Sequence, residues 1–87
     1  MAKKSPIVKH QKLGREKAHG YWLRGKVRDS ILLDTRLKGR HKLTITVHEL
    51  LHAHDENLSE KQVTDTSRFL SRELWRLGYR WTDNRAR

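Results

Sequence analysis

Two stretches carry apolar residues at helical spacing, and together they bound what a chain of 87 residues can become. In the first, Leu43, Val47, Leu50, Leu51 and His54 follow at steps of 4, 3, 1 and 3, which is one face of an α-helix. Thr44, Ile45, Thr46 and Val47 are β-branched and locally favour strand, but the wider period outweighs them and predicts a helix from about His41. Asp55, Glu56 and Asn57 form a polar break. Ser59 followed by Gln62 then reads as a capping box, in which each side chain satisfies the other's backbone N–H, so a second helix opens there. Its buried stripe is Val63, Ser67, Leu70, Leu74 and Leu77, with Phe69 and Trp75 on its flanks. Gly78 ends it in the left-handed role, and Tyr79 and Trp81 are placed to fold back on the core. The short linker makes the two helices antiparallel.

Ahead of the helices, Tyr21, Leu23 and Val27 alternate with Trp22, Arg24 and Lys26, the period of a strand with two faces. Arg28 and Asp29 break the run, and Ser30 to Asp34, centred on Ile31-Leu32-Leu33, reads as a second strand joined to the first in a hairpin. Residues 1–20 hold Lys3, Lys4, Lys9, Lys12, Arg15 and Lys17, while Ile7, Val8 and Leu13 keep no period. Such a segment buries too little apolar surface to offset the entropy of ordering, so it reads as a disordered basic tail. The expected architecture is α+β: a short β-hairpin followed by two antiparallel helices over residues 21–81, a flexible tail over 1–20 and a frayed C-terminus over 82–87.

Composition narrows the class. There is no cysteine, which excludes a disulfide-stapled secreted scaffold and favours a reducing compartment, the cytoplasm. Apolar runs are only a few residues long against the roughly 20 needed to cross a bilayer, so no membrane span is expected. Lys and Arg total 20 against 10 for Asp and Glu, a formal charge of +10. Charge of that sign attracts polyanions. A nucleic-acid contact through the basic tail is therefore one expectation, although no aromatic residue is interleaved there for base stacking.

The chemistry concentrates in His48-Glu49-Leu50-Leu51-His52. On a helix, positions i and i+4 lie one above the other, so both imidazoles can reach one Zn²⁺. Glu49, directly after the first histidine, falls beside such an ion, where its carboxylate can act as general base for a water attacking a carbonyl. A catalytic site of this kind takes a third protein ligand. His54 lies about 200° round the helix from His52 and faces away. Asp55 has a suitable angle but needs a turn to converge, and Asp65 is on the face opposite Val63. Glu60 extends the stripe of the second helix backwards, and the antiparallel return brings it near His52. It is the favoured ligand, with Asp55 and Asp65 as alternatives. Nothing is clearly positioned to stabilise an oxyanion, Tyr79 and His54 being the candidates.

Leu33-Asp34, Arg36-Leu37-Lys38-Gly39, Val47 to Ala53, Leu58-Ser59-Glu60, Val63 and Leu74 to Tyr79 together resemble small HExxH metallopeptidases of phages and bacteria, a minimal gluzincin-like group of zincins. The SprT-like peptidases share the helix but carry a further histidine at the place Asn57 occupies here. The resemblance implies Zn²⁺ held by His48, His52 and Glu60, Glu49 as general base, a peptide or protein substrate and, if phage-encoded, action in the host cytoplasm. It also implies an edge strand beside the cleft, for which Ser30–Asp34 is the candidate. The contrasting reading is a small basic nucleic-acid-binding or host-interaction protein with a structural or vestigial metal site.

Overall fold

The computed structural model describes residues 4–14 and 19–82. Strands β1 (Ile7–Gln11), β2 (Gly20–Leu23) and β3 (Ser30–Asp34) precede helices α1 (Gly39–His54) and α2 (Glu60–Arg76). The strands form one sheet in the order β1-β3-β2. β2 and β3 are the antiparallel hairpin expected from the sequence, with Tyr21 opposite Leu32 and Trp22 opposite Ile31. The fold is α+β as read from the sequence, but it has a third strand.

That third strand corrects the expectation of a tail over residues 1–20. Ile7–Gln11 runs parallel to β3, with Val8 opposite Ile31 and His10 opposite Leu33. All five β1 residues are exposed. The strand is held through its backbone rather than by burying an apolar face, which is why no alternation marks it in the sequence. The expectations for Lys3, Arg15 and Lys17 in the tail, and for fraying over 83–87, fall outside the described residues.

β3 is the middle strand and is buried on both faces, which accounts for its unbroken Ile31-Leu32-Leu33 run. At its end Asp34 is 3 % exposed yet charged, so it needs partners. It accepts from the Arg36 backbone N–H at 2.8 Å, from Arg36 Nη2 at 2.6 Å and from the Leu13 backbone N–H at 3.2 Å. Arg36 Nη2 also donates to the Leu13 carbonyl at 3.3 Å. This clamp fixes the chain leaving β1 to the end of β3, and the Arg36 hydrogen bonds hold the Asp34 carboxyl well below the usual carboxylate range.

α1 packs on the sheet with one flank and on α2 with another. Ala53 and Ile45 join Ile31, Leu33, Leu37 and Trp22 in the core. The flank carrying Ile45, Glu49 and Ala53 therefore faces the sheet, and the expected stripe is displaced: Leu50 is 39 % exposed and His54 is exposed. Trp22 is likewise turned inward rather than away, because it lies opposite Ile31 in the sheet and shares its face. Gly20 lets the helix come this close. A Cβ there would sit 2.7 Å from the Leu32 carbonyl oxygen and 3.1 Å from Ile45 Cγ2.

The α1–α2 contact runs through small residues. Val63, Ser67 and Ser71 are the buried positions of α2, while Leu70 and Leu77 of the expected stripe are exposed at 36 % and 62 %. Steps of 4 drift slowly round a helix, and serines at two successive inward positions allow close approach of the backbones. Their hydroxyls are satisfied: Ser71 and Thr44 share a hydrogen bond of 2.8 Å, and Ser67 donates to the Thr64 carbonyl at 3.0 Å. Thr44 and Thr46 also donate back to the carbonyls of Arg40 and Lys42. Such bonds make β-branched hydroxyl residues tolerable within the helix. Among the described residues no helix is long and apolar enough to cross a membrane.

Candidate metal centre

The end of α1 and the start of α2 meet at the HExxH turn. α1 stops at Asp55, and Asp55 Oδ1 accepts from the Asn57 N–H at 3.0 Å, which tightens the reversal. The capping box then starts α2: Ser59 Oγ accepts from the Gln62 N–H at 3.0 Å, and Gln62 Oε1 accepts from the Ser59 N–H at 2.8 Å. Glu60 is the first residue of α2, so the cap itself sets where its carboxylate stands.

That carboxylate spans both imidazoles. His48 Nε2 lies 3.0 Å from Glu60 Oε2, and His52 Nε2 lies 3.1 Å from Glu60 Oε1. The three donor atoms are within 4.8 Å of one another. The two rings are neighbours on one helix face, with centroids 5.0 Å apart. Both histidines are largely sheltered, with side chains 17 % and 20 % exposed, whereas Glu60 is 70 % exposed. Two imidazole nitrogens and one carboxylate are a donor set that catalytic zinc sites use, and their proximity would let one ion touch all three. The residues present therefore fit Zn²⁺.

The other candidates are engaged elsewhere. Asp65 accepts from Lys61 Nζ at 2.7 Å, which lowers its pKa. Asp55 caps the turn. His54 is exposed on another side of α1. Tyr79 lies past the far end of α2, a helix of 17 residues and so about 25 Å long, and is remote from the imidazoles.

Glu49 is only 7 % exposed. Burial, and secondarily the negative charge of Glu60, push its carboxyl up to about 7. A carboxylate whose pKa sits near neutrality is matched to taking up and returning a proton at physiological pH.

Trp22 is a feature of the site that the sequence does not reveal, because alternation along β2 does not say which of its two faces meets the helices. Its ring stacks on His52 with centroids 6.2 Å apart and an interplanar angle of 17°. Its Nε1 donates to Asp29 Oδ2 at 2.8 Å, which fixes the ring. Beyond Trp22 an open groove of about 650 Å³ runs between the 24–29 loop and the end of α1, with Arg24, Arg28, Leu50 and His54 on its walls.

The strand beside the imidazoles is β2, which corrects the expectation that Ser30–Asp34 would form that edge. β3 is flanked on both sides, whereas among the described residues β2 has one open edge. The Asp34 N–H donates to the His19 carbonyl at 2.8 Å, so alternation along the antiparallel pair turns the backbone groups of Trp22 away from β3.

No family model, curated protein or solved structure matches the chain. What can be said of function rests on the geometry of this centre.

Proposed function

We propose that the protein is a zinc-dependent hydrolase of peptide bonds, with His48, His52 and Glu60 as the metal ligands and Glu49 as the general base. The observation that carries this reading is the Glu60 carboxylate set against both Nε2 atoms, with Glu49 buried on the adjoining face of the same helix. When bound, Zn²⁺ supplies a Lewis acid that polarises a carbonyl and lowers the pKa of water towards 7.

The chain's own groups supply the rest. Glu49 takes the proton from the attacking water and can return it to the departing amine, which its near-neutral pKa suits. Trp22 stacks beside the His52 ring and limits its reorientation. The outward backbone N–H and C=O of Trp22 would pair with an extended peptide laid along β2, presenting its carbonyl beside the imidazoles.

The test is cleavage of an unstructured protein such as casein by zinc-loaded enzyme, beside Glu49→Gln. The variant should retain the metal and lose turnover by at least about a hundredfold, the range general-base catalysis contributes. Cleavage by Glu49→Gln at the parent rate would reject Glu49 as the base. Absence of cleavage by the zinc-loaded parent on any unfolded protein would reject the peptidase reading.

A further inference from the structure

The end of the helix pair remote from the imidazoles is built differently. At the metal-centre end Glu49 is buried, Glu60 stands against the two imidazoles, and Glu56 and Asp65 are paired with Arg24 and Lys61. At the other end the first turn of α1 contains no acid and presents Arg40 and Lys42. The last turns of α2 and the segment after it add Arg72, Arg76 and Arg80. The acid there among the described residues, Glu73, is taken up by Arg72 at 3.2 Å and Arg76 at 2.9 Å. Arg40, Lys42 and Arg80 have no carboxylate partner among the described residues.

Aromatic rings are interleaved with these cations. α2 ends in a Schellman turn: the Gly78 N–H donates to the Trp75 carbonyl and the Tyr79 N–H to the Leu74 carbonyl, both at 3.0 Å, with Gly78 at φ +99°. The turn throws 79–82 back across the start of α1. Arg80 Nη1 donates to the carbonyls of Trp75 and Tyr79 at 2.9 Å, and its guanidinium lies 3.4 Å from the Trp75 ring centroid. Lys42 Nζ lies 4.1 Å from the Trp81 centroid, and His10 of β1 meets that ring edge-on at 5.1 Å. The Trp75 and Trp81 rings are thus held by contacts with Arg80, Lys42 and His10, yet Trp81 stays 52 % exposed and its neighbour Tyr79 62 % exposed. A cleft of about 140 Å³ lies between them and α1.

Half-open rings alternating with cations that have no carboxylate partner among the described residues match one ligand chemistry. Phosphates pair with the cations, and unstacked bases lie on the ring faces. A duplex keeps its bases inside the stack, and an acidic peptide satisfies the cations but leaves the rings without a partner. We infer that the cleft formed by Lys42, Trp75, Tyr79, Arg80 and Trp81 binds single-stranded nucleic acid. The site does not depend on the hydrolase reading. It also differs in place from a contact through the N-terminal segment.

The test is fluorescence anisotropy of a labelled oligothymidine with the full chain at low salt, against a duplex of equal length and with polyglutamate as competitor. The single strand should bind more tightly than the duplex and resist polyglutamate. Trp81→Ala should weaken binding by about fivefold or more, the least that one lost base–ring stack implies. Tyr79→Ala is the second stacking variant, and circular dichroism checks that each remains folded. Lys42→Ala should lower the slope of log affinity against log salt by about one, and Lys26→Ala, in the 24–29 loop, should leave affinity within about twofold. Absence of binding at low salt, or unchanged affinity in folded Trp81→Ala and Tyr79→Ala, would overturn the inference. Equal displacement by polyglutamate would assign the surface to acidic peptides instead.

Discussion

At the residue scale the decisive group is Glu49, because its position creates a measurable conflict. A carboxylate on the flank that also carries Ile45 and Ala53 is drawn into the core, and ionising it there is opposed by burial and by Glu60. In the metal-free protein its folded-state pKa of about 7 exceeds the ordinary 4.5, so the native state holds a proton that the unfolded chain releases. By linkage this contribution to stability is fully present below pH 4.5 and is lost as pH rises through 7. Glu49→Gln cannot ionise. In chelator-treated protein, the stability of the parent relative to Glu49→Gln should therefore fall between pH 5 and pH 8, as read from urea denaturation. Parallel curves for the two would show that Glu49 is not buried as described.

At the element scale the helix ends do most to place the chemistry. The capping box sets Glu60 and the Schellman turn sets Tyr79 to Trp81, and both were legible in the sequence because caps are local: Ser59 with Gln62, and Gly78 after an apolar stripe. Gly78→Ala forces a left-handed backbone on a residue with a Cβ and should cost roughly 1–2 kcal/mol in urea or thermal unfolding. A cost near zero would mean that the turn is not held in this form. The histidines and Glu60 were legible for a related reason. Helical spacing plus a short linker decides which side chains converge, whatever the rest of the fold does. What the sequence hid were features decided by neighbours. β1 buries no side chain and so leaves no period. Trp22 faces the helices only because its register opposite Ile31 puts it there. The buried surface of α1 departs from its apolar stripe because the helix packs on two flanks, which one apolar arc cannot describe. In α2, Ser67 falls on the stripe expected from the sequence, but the inward Ser71 carries no hydrophobic signal.

At the scale of the whole molecule, a core built on Ile31, Leu33, Leu37, Ala53 and Val63 is small, and domains of this size gain little margin from apolar burial alone. A metal joining α1 to the start of α2 would therefore act on the fold as well as on chemistry. At a hundred times its dissociation constant, a ligand bound only by the native state adds about 2.7 kcal/mol, which for a domain this small raises the melting temperature by roughly 10–20 °C. Zinc should produce such a shift in the parent and in Glu49→Gln, and little or none in His48→Ala. The basic aromatic surface lies at the opposite end of the helix pair from the imidazoles, so loss of the metal should leave that surface in place. The most direct test of the central claim is the zinc content of purified, dialysed protein. One ion per chain is expected in the parent and in Glu49→Gln, and a clear loss in both His48→Ala and Glu60→Ala. A parent that holds no zinc, or a Glu60→Ala variant that holds it as tightly as the parent, would contradict it.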